Sequence, residues 1–325
     1  MKRLDEYWYD QNFISLCLLP ASWFFCLLVY IRRYLYRTGI LNASKLPVPV
    51  IIIGNISVGG TGKTPLVIAL VEFLKEQGYK PGVISRGYGG QASTWPQQVR
   101  EDSDPRMVGD EPLLIVKNCH VPMAVGPDRV TAAEQLLQYH HCDIVISDDG
   151  LQHYALKRDI EIVVVDSARR FGNARCLPAG PLREPVSRLD EVDFIIANGL
   201  AMSTEFPMQL NASQVVNMFN GEIRSLDDFR TREVNAIAGI GFPDRFFSML
   251  KKHDIIAHPH SFSDHYDFKQ SDLVFENKLP IVMTEKDAVK CQRFAHKAMW
   301  YIPVQARLDT RFLTHFSNEV KKAVE

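Results

Sequence analysis

The sequence predicts an α/β protein: a mostly parallel sheet flanked by helices, then a second, smaller α/β domain, with an apolar helix in front. Three observations carry that expectation. A glycine-rich loop, Ser57-Val58-Gly59-Gly60-Thr61-Gly62-Lys63-Thr64-Pro65, directly follows the apolar run Val50-Ile51-Ile52-Ile53 and precedes an amphipathic helix pattern from Leu66 to Lys75. Short apolar strands alternate with helical stretches through the rest of the first half. After a polar stretch around Met202 to Gln214 the alternation restarts, which sets a boundary near residue 205 and three segments: 1–37, 38–205 and 206–325.

The first element is the uncharged run Phe13 to Ile31, which ends at Arg32-Arg33 with Arg37 beyond. As a helix it would be about 28 Å long, marginal for a hydrocarbon core of ~30 Å. A cleaved signal peptide would need a small-residue cleavage site, but Tyr30, Tyr34 and Tyr36 and the three arginines follow instead. Pro20 interrupts the first third, and Trp23 and the tyrosines with basic neighbours suit the headgroup level. The pattern favours a helix inserted in or lying on one leaflet over one buried against the globular domain.

The glycine loop comes next. Strand, loop and helix in that order supply closely spaced backbone N–H groups, a lysine for β and γ oxygens, and a Thr hydroxyl for Mg²⁺. Ser57, Val58, Gly59, Gly60, Thr61, Gly62, Lys63 and Thr64 are therefore the candidate nucleotide-binding residues, and the fold type is that of the P-loop NTPases. Aligned on Gly62-Lys63-Thr64, the standard pattern puts Ser57 where its first glycine belongs, while Gly59 and Gly60 keep the loop permissive for positive φ. The competing reading is a glycine-rich turn with no ligand.

Further along, Lys80 to Ser85 reads as a strand leading into Arg86-Gly87-Tyr88-Gly89-Gly90, a loop offering a guanidinium and a phenol ring. Gly109-Asp110-Glu111-Pro112 precedes a helical stretch, Leu113 to Lys117, and spacing alone makes Asp110 an N-cap. Arg129 to Tyr139 is a helix, and Asp143 to Ser147 an apolar strand ending in Asp148-Asp149-Gly150. Two carboxylates at such a strand end are metal candidates beside a phosphate loop, although Asp-Asp-Gly is also good turn chemistry. Ile160 to Val165 and Phe194 to Ala197 are further strands. In the last segment Val234 to Ala238, Ile281 to Thr284 and Trp300 to Pro303 read as strands and Pro243 to Lys251 as a helix. His258, His260 and His265 lack a well-spaced third ligand for a transition metal.

With 325 residues, 46% hydrophobic and 23% charged, the chain has material for two cores. A formal net charge of −1 argues against nucleic acid as a partner. The six cysteines, Cys17, Cys26, Cys119, Cys142, Cys176 and Cys291, form no CxxC pair, so neither a disulfide framework nor a zinc module is expected.

The glycine loop, Ser85-Arg86-Gly87-Tyr88-Gly89, Gly109-Asp110-Glu111-Pro112, Ser147 to His153, Leu177 to Pro185, Phe262 to Phe268 and Thr284-Glu285-Lys286-Asp287-Ala288-Val289 together closely resemble tetraacyldisaccharide 4′-kinase, the lipid A 4′-kinase of Gram-negative bacteria. The resemblance runs from the apolar helix to about residue 305, and a small residue at the Ser57 position is usual in that family. It implies ATP-dependent phosphorylation of the 4′-hydroxyl of a tetraacylated glucosamine disaccharide 1-phosphate at the cytoplasmic face of the inner membrane; separately, a monomer is expected. It also implies two α/β domains joined by a hinge around a cleft. Lys63 would contact the β and γ phosphates, and Thr64, Glu111, Asp148 and Asp149 would serve Mg²⁺. Asp110 and His265 would form the catalytic dyad, with Arg86, Tyr88 and Arg129 near phosphates or lipid. The alternative, a membrane-recruited P-loop switch protein, calls for a guanine-reading NKxD sequence, and Thr284-Glu285-Lys286-Asp287 lacks the intervening residue.

Overall fold

A computed structural model describes residues 7–10 and 12–325, so residues 1–6 and 11 of the expected N-terminal segment lie outside the described residues. The apolar run forms two helices, α1 (Phe13–Cys17) and α2 (Leu19–Arg37). Pro20 stands in the first turn of α2, where its missing N–H costs nothing, so it opens a helix rather than interrupting one.

The phosphate-loop unit follows: β1 (Val50–Gly54), α3 (Lys63–Glu76), β2 (Pro81–Ser85), β3 (Gln97–Gln98), α4 (Pro105–Val108), α5 (Asp110–Cys119), β4 (Met123–Val125), α6 (Arg129–Tyr139), β5 (Ile144–Asp148), β6 (Ile160–Asp166), β7 (Phe194–Asn198) and β8 (Phe206–Asn211). The second unit holds β9 (Gln214–Asn217), β10 (Ile223–Ser225), β11 (Glu233–Ala238), α7 (Pro243–Lys252), β12 (Ile256–Ser261), β13 (Ile281–Thr284), α8 (Glu285–Cys291) and β14 (Met299–Ile302). The chain ends with β15 (Gln305–Leu308) and α9 (Thr310–Val324).

The larger sheet runs β15-β8-β7-β6-β1-β5-β2-β4-β3 and is parallel except at its edges, where β15 and β3 pair antiparallel. Strand β1 lies between β5 and β6 in register Ile53↔Asp148 and Ile53↔Ile162, so the glycine loop and the Asp148-Asp149 pair leave the sheet side by side. This is where ligands sit in open parallel sheets. Strands buried on both faces need continuous apolar runs, and β1, β2, β5 and β6 are buried throughout.

Two assignments differ from expectation. The stretch that reads as polar, 202–214, contains β8, whose sequence conceals it because Met208 alone is fully buried while partners on both sides complete its hydrogen bonds. The strands therefore do not divide at 205: β8 extends the larger sheet, and β15 returns to it beside β8 with Asn211 opposite Gln305. Helix α9 buries Phe312, Phe316 and Val320 in the same core as Leu66, Leu70 and Leu74 of α3, with Phe194 edge-on to Phe312 at 5.2 Å. The smaller sheet, β10-β9-β14-β13-β11-β12, is thus an insert between β8 and β15.

Candidate active site

The glycine loop is held by its carbonyls. Asn198 Nδ2 donates to Thr61 O at 2.9 Å, Asn55 Nδ2 to Gly59 O at 3.4 Å, and the Arg169 guanidinium to Gly60 O. The N–H groups of Gly59, Gly60, Thr61 and Gly62 donate to no described residue. They stand at the start of α3, where Gly62 is the N-cap at φ +99° and no side chain caps the helix. Gly59, at φ +95°, likewise adopts a conformation that side chains disfavour. Free amides at a helix N-terminus make an anion site.

Across the loop, Lys63 Nζ lies 3.4 Å from Asp149 Oδ1 and Arg183 Nη1 lies 3.1 Å from Oδ2. Burial opposes the Asp149 charge, but the two cations bring its carboxyl down to about 2. Asp149 sits at φ +51°, a left-handed conformation that strand-to-turn geometry imposes just after β5. Buried Arg129 donates to the Asp149 carbonyl at 3.1 Å, whereas Arg86 lies exposed in the loop after β2.

Asp148 is different. Neither carboxylate oxygen has a hydrogen-bond partner, and burial together with the nearby Glu111 charge pushes its carboxyl up to about 7. Such a group asks for a cation. Among the described residues no three His, Cys, Asp or Glu side chains converge as a metal cluster, because Asp149 is turned to Lys63 and Arg183, and Glu111 to Lys286 at 2.9 Å. Of the four expected metal residues, Asp148 and Thr64, the second residue of α3, remain without a competing cation. Mg²⁺ commonly takes one or two protein oxygens plus phosphates and water, so this donor set fits it.

The second half of the site spans the cleft between the units. Asp110 is the first residue of α5; the N-cap place belongs to Gly109, which corrects the expected capping role. Gly109, at φ +96°, lets the Tyr88 backbone approach so closely that a Cβ would meet Tyr88 O at 2.8 Å. That brings the Tyr88 ring to 4.9 Å from His265. His265, 155 residues away in the chain, points Nδ1 at both Asp110 oxygens at 3.1 Å, from a left-handed backbone at φ +58°. Burial disfavours charge on both partners. The His265 hydrogen bond and the Lys286 charge nevertheless bring Asp110 down to about 2, and the Asp110 hydrogen bond raises His265 above its ordinary value.

Lys286, missed as a site residue by sequence reasoning, also touches Asp264 at 3.2 Å. Burial opposes its charge, yet Glu111 and Asp110 outweigh that and keep the ammonium protonated far above the usual lysine range. A cavity of about 650 Å³ opens beside the pair, lined among others by Tyr88, Arg106, Lys117, Lys290 and Arg293. The basic residues of that wall come from α4, α5, α8 and the 3-10 turn after α8, and leave no contiguous motif to read.

The N-terminal helices dock on one side only. Ser22 is buried and its hydroxyl donates to Cys176 O at 2.8 Å, and Arg33 pairs with Glu191 at 2.5 Å. Phe13, Trp23 and Phe24 are 79%, 67% and 62% exposed, and Leu27, Leu28 and Tyr30 extend that face. Among the described residues no helix is long and apolar enough to cross a membrane.

A family model described as tetraacyldisaccharide-1-P 4′-kinase matches residues 14–321. The tetraacyldisaccharide 4′-kinase of Nitrosococcus oceani is 51% identical over 307 residues, covering 94% of this chain and 91% of that protein. That of Pasteurella multocida is 48% identical over 327 residues, covering 98% and 100%. Among solved structures, LpxK from Aquifex aeolicus in complex with ATP superposes with a TM-score of 0.81 at 30% identity, covering 94% of this chain and 99% of that one.

Proposed function

This chain belongs to the tetraacyldisaccharide 4′-kinase family, and on that premise we propose that Asp110, aided by His265, takes the proton of the attacking hydroxyl while the glycine loop and Lys63 hold the triphosphate. The enzyme is an ATP-dependent kinase that phosphorylates the 4′-hydroxyl of a tetraacylated glucosamine disaccharide 1-phosphate, a lipid A precursor. The 4′ oxygen bonds to the γ phosphorus, the bond to the β–γ bridging oxygen breaks, and ADP leaves. Such chemistry needs positioned groups and charge neutralisation more than covalent help.

The amides of Gly59 to Gly62 and the Lys63 ammonium would cradle the β and γ phosphates. Asp148 and Thr64 would hold Mg²⁺, reached also by Glu111 and Asp149 once their cations exchange partners, and the ion would neutralise charge gathering on the phosphate oxygens. Arg86, Tyr88 and Arg129 would orient phosphates and sugar. The observation that carries the reading is the 3.1 Å contact of His265 Nδ1 with both Asp110 oxygens, made across the cleft beside the phosphate loop. A carboxylate so placed is ionised at neutral pH and ready to accept a proton.

The two sheets would act as two domains hinged where the chain passes between them, at 211–214 and 302–305. The exposed apolar face of α1 and α2, with Arg32, Arg33 and Arg37 at its end, would lie in one leaflet at the cytoplasmic face of the inner membrane, where the lipid is met. A monomer is the proposed working form. An assay with γ-labelled ATP and the disaccharide lipid in detergent tests the assignment. Transfer of label to the lipid by the wild type, lost in Asp110→Asn and His265→Gln, supports it; transfer undiminished in both variants overturns the base assignment.

A further inference from the structure

Lys286 projects from a turn that is fixed from below. Thr284 caps α8 through its hydroxyl, and the fully buried Asp287 carboxylate accepts from Gly239 N–H at 2.9 Å and from the Thr284 hydroxyl at 2.6 Å while pairing with Lys290 at 2.8 Å. From this base Lys286 Nζ reaches 2.9 Å from Glu111 Oε1 on the far side of the cleft and 3.2 Å from Asp264 Oδ1 on its own side. It also stands 3.5 Å from His265 Nε2 and 3.9 Å from Asp110 Oδ2. One ammonium therefore joins carboxylates of both units and faces the imidazole nitrogen that points away from Asp110.

An ammonium has only hydrogens to offer, so the nitrogen beside it keeps its lone pair. In the neutral ring the proton then sits on Nδ1, facing Asp110 at 3.1 Å. The Lys286 ammonium thereby selects which tautomer the pair uses, as partners of functional histidines generally do. We infer that Lys286 is a positioning residue of the phosphoryl transfer: it fixes the tautomer of His265 and seats the second unit against Asp110. This rests on the reading of Asp110 and His265 as the proton-accepting pair.

The test uses the full chain with Lys286→Met and, as the conservative variant, Lys286→Arg. Nitrogen NMR of histidine-labelled protein at alkaline pH, where the ring is neutral, reports the tautomer of His265, its signals identified by their loss in His265→Gln. Steady-state kinetics give kcat and KM. Lys286→Met is expected to melt cooperatively, to lose roughly 10²-fold in kcat with the KM for ATP within about threefold of wild type, and to show a mixture of tautomers. Lys286→Arg should recover most of both losses. An unchanged tautomer with wild-type kcat overturns the inference, and so does a kcat effect replaced by a large rise in the KM for ATP, which would put Lys286 on the nucleotide. If the Met variant does not melt cooperatively, Asp264→Asn loosens the ammonium from its own side: a shifted tautomer supports the inference and an unshifted one overturns it. Failure of the underlying reading shows separately, as wild-type kcat in both Asp110→Asn and His265→Gln.

Discussion

At the phosphate loop the holding contacts come from within the first unit: Asn55, Arg169 and Asn198 grip carbonyls and leave the amides turned outward. At the cleft the contacts run between units, from Asp110 and Glu111 to His265 and Lys286, and each is an interaction between ionisable groups. The loop is preorganised by two left-handed glycines and a helix start, with the second unit's Phe242 lying against Arg169 behind it. The cleft cluster exists only when the second unit is seated. Under the proposed hinge, the nucleotide site would stay formed while the cleft pair came apart between turnovers.

The sharpest test of that contrast is Lys63→Ala. It should lower kcat by at least ~10²–10³-fold, as loss of a transition-state charge partner does, with melting little changed because among the described residues the Lys63 ammonium pairs with Asp149 alone. Turnover within a few-fold of wild type in a folded variant would remove the loop from the comparison. Next come Asp110→Ala and His265→Ala, each expected to lose ~10²–10⁴-fold in kcat with the KM for ATP nearly constant. The double variant should be scarcely worse than the worse single one, whereas fully multiplicative losses would mean that the cleft holds two independent functions.

The docked and exposed faces of α2 make the same point on a smaller scale. Replacing Trp23, Phe24 and Leu27 by Asp should weaken binding to anionic vesicles by more than ~10-fold, since a buried apolar side chain contributes about 1.5–3 kcal/mol, and leave the melting temperature in place. Ser22→Leu, on the docked face, should do the reverse. Loss of melting cooperativity in the Asp variants would assign that face to the core.

The smallest effect is pH dependence. His265 is raised above its ordinary 6.5, so its contribution is complete below that value and fades as pH rises through the raised one. Asp110 is lowered from 3.8 to about 2, so its contribution is complete above 3.8 and fades as pH falls through about 2. The melting-temperature difference between wild type and His265→Gln should therefore be largest between these limits, by a few degrees, and shrink above the His265 value. A difference that grows with alkaline pH would mean the pair is held by something other than its charge.

The sequence reveals the loop because its information is contiguous, and helix α6 over the expected Arg129–Tyr139, where the structure adds Asp128 as the cap, its side chain accepting from Val130 N–H. Strand β8 escapes notice since neighbours on both sides, not its own side chains, secure it. Asp110 reads as a cap because spacing alone does not show that Gly109, with positive φ, takes that place. The pairing of Asp110 with His265 enters through family resemblance alone, and Lys286, though inside the Thr284 to Val289 motif, receives no role of its own from the sequence. Its partners at 111, 264 and 265 become neighbours only after two sheets have formed and met.

The opposition of Asn211 and Gln305 on adjacent strands has a consequence for engineering and for descent. Two chain positions nearly a hundred residues apart enter and leave the smaller sheet through neighbouring points, like the two leads of a plug-in module. A tight turn joining 211 directly to 305 would close an ordinary hairpin and leave the larger sheet, α9 included, continuous. Such an excised chain should still hold nucleotide on its loop but, lacking residue 265, transfer nothing. The smaller unit also meets the larger away from those leads, through Arg245 on Asp166 at the end of β6 and Val289 in the larger core, so a relative's insert would have to match those contacts too.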